Sequence, residues 1–398
     1  MAGWRTRLLT RWPERGPSLA NPAQLALYPN RGLTFARGDG AYLFTRDGTR
    51  YLDLMTNYGV NLLGHSHPAI VAALTEQVAT LATVHGSFGS DVRARASIAL
   101  AERLPIRDAS ICWLNSGAEA VEAALKFAVA ATGRRRFVAC TGGYHGKTIG
   151  ALAVTHAGKY RALVRDLLFP VTHVEFGSGL AADAAMDHDT AAVIVEPIQG
   201  ESGVVVPPQG YLRDLREACS ARGVLLIVDE VQTGCGRTGT FTVSEREAVE
   251  PDILCLGKGL AGGVPVGVTA VRPSIAERLG KGLHTSTFGG NPLAAAGVLA
   301  TLSLLTPELM SKAERLGTEL MANLAAAGAR SIAEVRGRGL MIGVAVRGER
   351  DRILKGLQEQ RILAIPAGDD VIRFLPAMIV EREQLNEVVP ALDRVSGS

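Results

Sequence analysis

Five short apolar runs constrain this chain more than anything else in it: SICWL (110–114), RFVAC (136–140), AAVIVE (191–196), VLLIVDE (224–230) and ILCL (253–256). Each leads through a loop of small or polar residues into an amphipathic helical pattern, and the alternation fills the chain from about residue 90 to 300. A strand with one wet face alternates apolar and polar residues; these runs do not, so they predict strands covered on both faces. An α/β fold follows, with a large domain built on a mostly parallel sheet.

On either side the pattern changes. GAYLFTRDGTRYLDLM (40–55) reads as two strands about an Asp47-Gly48 turn, and HPAIVAALTEQVATL (67–81) as a helix with a proline near its start. Beyond Pro292 come two long helical patterns, then the short element RGLMIGVAV, a helix near DRILKGLQEQ, the strand-like VIRFLP and a last helix that Pro390 interrupts. These predict a smaller α+β domain. The expected division is residues 1–50 as an N-terminal arm and part of the small domain, 51–300 as the large domain and 301–398 as the C-terminal small domain. At 398 residues a single core is outgrown, since cores stop growing near ~250–300 residues.

Bulk chemistry excludes several classes. A formal charge of +3, from 42 basic against 39 acidic residues, is too slight to argue for a nucleic-acid or membrane-surface partner. The chain holds no run of 18 apolar residues, so a membrane span is not supported. Cys112, Cys140, Cys219, Cys235 and Cys255 lack the close CxxC pairing of a zinc site and suit a reducing compartment, here the cytoplasm; no metal is expected. The basic opening MAGWRTRLLTRW lacks a secretory apolar core and reads as a solvated or partner-packed arm. No GxGxxG with a following acidic residue occurs after an early strand, which disfavours a dehydrogenase.

The chemistry clusters where the strands end. After SICWL, Ser116 with Glu119 forms a capping-box pattern, and Gly117 lets a ligand approach first-turn amides that attract anions. Asp229 and Glu196 end two further runs, and Tyr144-His145 follow a third. Each has a bland reading as a helix cap or packed loop residue. Lys258, in PDILCLGKGLAGG, adds an amine at the same kind of place. A phosphate cradle, an aromatic plate, an acid for a ring nitrogen and an amine are together what pyridoxal phosphate needs.

NSGAEAVEAALK, GGYHGKT, VEPIQGESG, VDEVQTGCGRTG, LGKGLAGG and TSTFGGNP occur in an order that resembles the class III pyridoxal-phosphate aminotransferases of the ornithine and acetylornithine type. The resemblance runs from about Leu33 to Val389 and implies fold type I of the pyridoxal-phosphate enzymes. It implies Lys258 as the Schiff-base lysine, Asp229 facing the pyridine nitrogen, and Gln232 bonding the phenolic oxygen. Val231 and Tyr144 are implied on the two ring faces, and Gly117 and Ala118 as phosphate-binding amides. Thr287 is implied to reach the phosphate of a neighbouring subunit, hence a homodimer with active sites at its interface, a tetramer being left open. Glu201 and Arg373 resemble the family's gate and carboxylate-binding arginine, and Tyr28 and Tyr58 its pocket tyrosines.

The activity implied is transfer of the terminal amine of ornithine, N-acetylornithine or a related ω-amino acid to 2-oxoglutarate, within amino-acid biosynthesis of the arginine type. Lys147 departs from the pattern, standing in HGKT where the family has arginine. Lysine cannot offer a bidentate fork to a donor's carboxylate, and HGK is more similar to putrescine aminotransferases, so a diamine or other ω-amine donor is the alternative. A racemase, aminomutase or decarboxylase would keep the same cofactor residues, and a non-enzymatic protein of this fold is a further rival.

Overall fold

The computed structural model describes residues 25, 27–327 and 331–396. The basic stretch MAGWRTRLLTRW lies outside the described residues. Strand β1 (Phe35–Asp39) pairs antiparallel with β2 (Tyr42–Thr45), and β2 with β3 (Arg50–Asp53). The β2–β3 turn closes on Asp47, whose Oδ1 accepts from the Thr49 amide at 3.1 Å, and on Gly48 at φ 86°.

The central sheet has seven strands: β4 (Ser110–Leu114), β5 (Arg136–Cys140), β6 (Val171–Val174), β7 (Thr190–Val195), β8 (Leu225–Asp229), β9 (Ile253–Leu256) and β10 (Gly267–Val271). Their order is β4-β10-β9-β8-β7-β5-β6, and only β10 runs antiparallel to its neighbours. The absence of alternation now has its cause. Ile194 and Ile227 face the helix Gly117–Thr132, while Val193, Val195, Leu226 and Val228 face Tyr211, Leu215 and Cys219 of the helix Tyr211–Arg222. β7 is buried along its whole length and β8 from Leu226 onward. The helix Gly117–Thr132 contributes Val121, Leu125 and Phe127 to that packing, roughly 1.5–3 kcal/mol each, and ends on Gly133 at φ 71°.

A third sheet, β11 (Ile332–Arg338), β12 (Met341–Val346), β14 (Ile365–Ala367) and β15 (Val371–Phe374), is antiparallel in the order β11-β12-β15-β14. Between its strands, β13 (Ile362–Leu363) leaves to pair in parallel with β3, so the C-terminal part completes the N-terminal sheet. Both expected boundaries pass through elements. The one at 50/51 cuts β3, which its hairpin partner holds, and the one at 300/301 cuts the helix Pro292–Leu304. The last helix is broken as Arg382–Leu385 and Val388–Ser396. Pro390 falls in the first turn of the second piece, where a missing N–H leaves no helix bond unmade, so the break precedes it.

Candidate active site

Because β4, β5, β7, β8 and β9 run the same way, the residues that follow them meet at one edge, where open α/β sheets bind ligands. After β4, Ser116 Oγ accepts from the Glu119 amide at 3.2 Å and opens the helix Gly117–Thr132. The capping box is only half formed. The Glu119 carboxylate reaches back to Asn115, taking its backbone N–H at 2.6 Å and its Nδ2 at 2.9 Å, in place of the Ser116 amide. The first-turn amides of Gly117 and Ala118 have no partner within the helix and sit at its positive end. There is no room for a side chain at Gly117: a Cβ would lie 2.6 Å from Val231 Cγ1, and one at Gly146 would lie 2.7 Å from Ala118 Cβ. Backbone here is pressed into a small cradle.

Asp229 closes β8 with 5% exposure. Its Oδ2 lies 2.8 Å from His145 Nδ1 and its Oδ1 accepts from the Val231 amide at 3.0 Å. Burial alone would lower the His145 pKa, but the hydrogen bond and charge of Asp229, with Glu196 behind them, raise it above its ordinary value. His145 Nε2 is buried without a hydrogen-bond partner among the described residues. Glu196, after β7, is also buried, and burial with the nearby Asp229 charge pushes its pKa to about 7, against the opposing pull of His145.

Lys258 follows β9 through Gly257 and takes φ 44°, a left-handed conformation that costs a non-glycine residue of order 1–3 kcal/mol. The backbone thus spends stability to aim one amine. Burial lowers the pKa of that amine, Arg373 adds to the lowering, and the carboxylates Glu201, Asp229 and Glu196 oppose it.

Arg373, on β15, brings the third sheet into the site with its side chain fully buried. Its Nη2 meets Glu201 Oε1 at 2.7 Å and its Nη1 donates to Gln232 Oε1 at 3.0 Å. Burial works to raise the Glu201 pKa, but Arg373, with Lys258 and Lys147, overrides it and holds the carboxyl below its ordinary range. Gln232 therefore gives its oxygen to the arginine and keeps only its NH2 for a phenolic oxygen. Tyr58 lies with its ring 5.5 Å from the Arg373 guanidinium carbon. It is presented by three successive left-handed residues, Thr56, Asn57 and Tyr58, at φ 42°, 51° and 58°. That turn is pinned by Asp53 Oδ1, which accepts from the Thr56 amide at 2.9 Å, and by Thr56 Oγ1 donating to Leu375 O at 2.6 Å.

The structure thus gathers Lys258, Asp229, Val231, Gln232, Gly117, Ala118, Tyr144, Glu201, Arg373 and Tyr58 at one sheet edge. Tyr144 is half-buried, and burial pushes its hydroxyl pKa up to about 12. Two of the sequence-predicted residues lie at the surface of this chain, Tyr28 still within electrostatic reach of Tyr144. Tyr28 is 83% exposed, and Thr287 is exposed beside Ser286, whose Oγ takes the Asn115 Nδ2 at 2.9 Å. Lys147 is exposed too, and its ammonium lies over the Tyr160 ring at 4.1 Å from the centroid.

Outside the buried cluster opens a cleft of about 690 Å³ whose walls include Tyr144, Glu201, Lys159, Tyr160, Asp369 and Asp370. Tyr160 stands edge-on to Tyr144 at 6.3 Å and carries a second ammonium, that of Lys159, at 5.1 Å. Lys159 and Tyr160 carry no sequence signal, lying on a helix of only four residues, Gly158–Arg161. Nor does sequence reveal the pairing of His145 with Asp229, although His145 follows a strand as the other site residues do.

A protein-family model described as aminotransferase class-III matches residues 27–395. The acetylornithine aminotransferase of Methanopyrus kandleri is 44% identical over 369 residues, covering 92% of this chain and 94% of its own length. The [LysW]-aminoadipate semialdehyde/glutamate semialdehyde transaminase of Sulfolobus acidocaldarius is 41% identical over 368 residues, covering 91% and 94%. Among solved structures, the ornithine aminotransferase of Toxoplasma gondii matches with a TM-score of 0.90 at 33% identity, over 94% of this chain and 92% of that one.

Proposed function

The chain belongs to the class III aminotransferases, enzymes that use pyridoxal phosphate, and on that premise we propose that it moves the terminal amine of ornithine, N-acetylornithine or a related ω-amino acid to 2-oxoglutarate. The residues present fit the cofactor. Gly117, Ala118 and Gly146 form a cradle that a Cβ would fill, at a helix end suited to phosphate. A buried carboxylate, a half-buried tyrosine and an amine whose pKa burial lowers complete the donor set.

When bound, pyridoxal phosphate supplies an aldehyde for an amine and a protonated ring that withdraws electrons from the carbon bearing that amine. Lys258 Nζ would hold the cofactor and, once the donor amine displaces it, serve as the base that takes the proton from the donor carbon. Burial, which lowers its pKa, works in favour of the neutral amine this needs. Asp229 would face the ring nitrogen, with His145 fixing the orientation of its carboxylate. The first-turn amides would bind phosphate, while Val231 and Tyr144 close the two ring faces. Thr287, exposed on this chain, would complete the phosphate site of a partner in a homodimer.

The observation that carries the choice of reaction is the fully buried Arg373 paired to the less buried Glu201 at 2.7 Å. A guanidinium masked by a carboxylate can serve two substrates in turn: an amine donor while masked, and a dicarboxylic 2-oxo acid when Glu201 swings away and the fork is free. That is the demand of a two-substrate cycle in which 2-oxoglutarate accepts the amine. A racemase or decarboxylase has no such demand.

Lys147 favours a second reading, a diamine or other ω-amine donor, because its ammonium rests on Tyr160 and has no fork for a carboxylate. A panel of ornithine, N-acetylornithine, putrescine, lysine and 4-aminobutyrate with 2-oxoglutarate decides. The first reading expects the highest kcat/KM on a carboxylate-bearing ω-amine; a preference for putrescine transfers the case to the second. A cytoplasmic location belongs to this proposal and is supported by five free thiols.

A further inference from the structure

Glu196 is buried directly after β7, and each of its oxygens holds a different loop. Oε1 accepts from the Tyr144 amide at 2.8 Å and Oε2 from the Gly200 amide at 3.2 Å. The first loop carries Tyr144, His145 and Lys147; the second carries Glu201, the residue next to Gly200. The loops are also laced directly, by Gln199 Nε2 to Thr141 O at 2.8 Å and by Ser202 Oγ to Gly142 O. Neither glycine has room for a side chain: a Cβ at Gly142 would lie 2.6 Å from Gln199 Oε1, and one at Gly200 would lie 2.1 Å from Gln232 Oε1. A turn cap alone would satisfy one amide on its own loop. Glu196 spans two.

We propose that Glu196 is a positioning residue that couples the aromatic face of the cofactor site to the Glu201 gate, so that retention of the cofactor and discrimination between donor and acceptor are set by one carboxylate. The coupling rests on the functional reading above. His145 and Asp229 face Glu196 from the loop after β5 and from β8, and Lys258 from the residues after β9; burial and the Asp229 charge raise the Glu196 pKa, while His145 and the hydrogen bonds from the Tyr144 and Gly200 amides lower it. In its ionised form the carboxylate accepts from both amides at once, and each of those hydrogen bonds is stronger than one to a neutral acceptor.

The test is Glu196→Gln in the holoenzyme, with Glu201→Gln as comparator. An amide keeps one acceptor and turns an NH2 against the other N–H, which releases one loop and loosens the second through it. Loss of pyridoxal phosphate on dialysis into cofactor-free buffer, and the ratio of KM for donor to KM for 2-oxoglutarate, are both expected to shift about tenfold or more in Glu196→Gln. Glu201→Gln shifts the KM ratio alone. A lower melting temperature in Glu196→Gln with cofactor loss and KM ratio unchanged overturns the coupling, as does a change in only one of them.

Should the variant not fold, hydrogen exchange of the wild-type holoenzyme resolved to single amides answers instead. The Tyr144 and Gly200 amides are expected to be slow and equally protected; either one exchanging at the rate of an open loop overturns the proposal. If wild-type enzyme does not use 2-oxoglutarate, the reading of the reaction falls, while cofactor loss and exchange still report on Glu196.

Discussion

The buried cradle and the open mouth of the site are built by different rules. In the cradle, Asp229 ends a strand buried on both faces and Glu196 and Lys258 follow two others, so the sheet itself sets where they stand. At the mouth, Lys147, Lys159 and Tyr160 lie on a loop and a four-residue helix and meet through two ammonium groups over one ring. On the proposed function, the comparison teaches that the chemistry rests on sheet-anchored residues and the contacts with the donor on less firmly held ones. Substitutions in the cradle should be felt by every substrate, and substitutions at the mouth by some.

The largest expected effect breaks the cradle at its amine. Lys258→Ala should lower kcat by at least about 10⁴-fold with every donor, since it removes both the attachment and the base; single-turnover absorbance with excess donor checks it. Next comes the boundary between the regions. Arg373→Ala should raise KM for 2-oxoglutarate about 100-fold and change KM for a monoamine donor far less, because a buried charge pair loses one member; steady-state kinetics with each substrate varied separates the two.

Lys147→Met should be smaller still and selective. A loss of about three- to fivefold in kcat/KM for carboxylate-bearing donors, with putrescine unchanged, is what an exposed ammonium over a ring can contribute. An equal loss for all donors would erase the distinction between cradle and mouth.

The smallest effect concerns stability. Burial lowers the His173 pKa from 6.5 to about 4, so the unfolded chain binds the extra proton first and stability falls as pH drops through that window. His173→Asn should flatten this acid limb of the melting curve between about pH 6.5 and about 4 and leave the neutral value nearly unchanged.

The same contrast explains what the sequence disclosed. The five apolar runs stood out because both faces of each strand are covered, and the strand-end residues could be named from them. β6 and β10 did not stand out. VTHV is a four-residue edge strand, and GVTAV enters antiparallel between β4 and β9 from a glycine-rich turn, a placement that only tertiary pairing decides. β11, with Glu334, Arg336 and Arg338 in seven residues, hides its strand character at an edge.

In the site, the family resemblance already implied that Glu201 can pair with Arg373, a 2.7 Å contact between residues 172 apart that no local pattern would disclose. The left-handed run at Thr56, Asn57 and Tyr58 was illegible for a simpler reason. A β-branched threonine opens it, and the long-range bond to Leu375 O that holds it has no local pattern.

The account stands on one covalent site in the cradle, and mass spectrometry of the borohydride-treated holoenzyme tests it most directly. A phosphopyridoxyl mass on the peptide containing Lys258, and on no other lysine, is the predicted result. An unmodified Lys258, or the label on a lysine of the mouth such as Lys147, would contradict it.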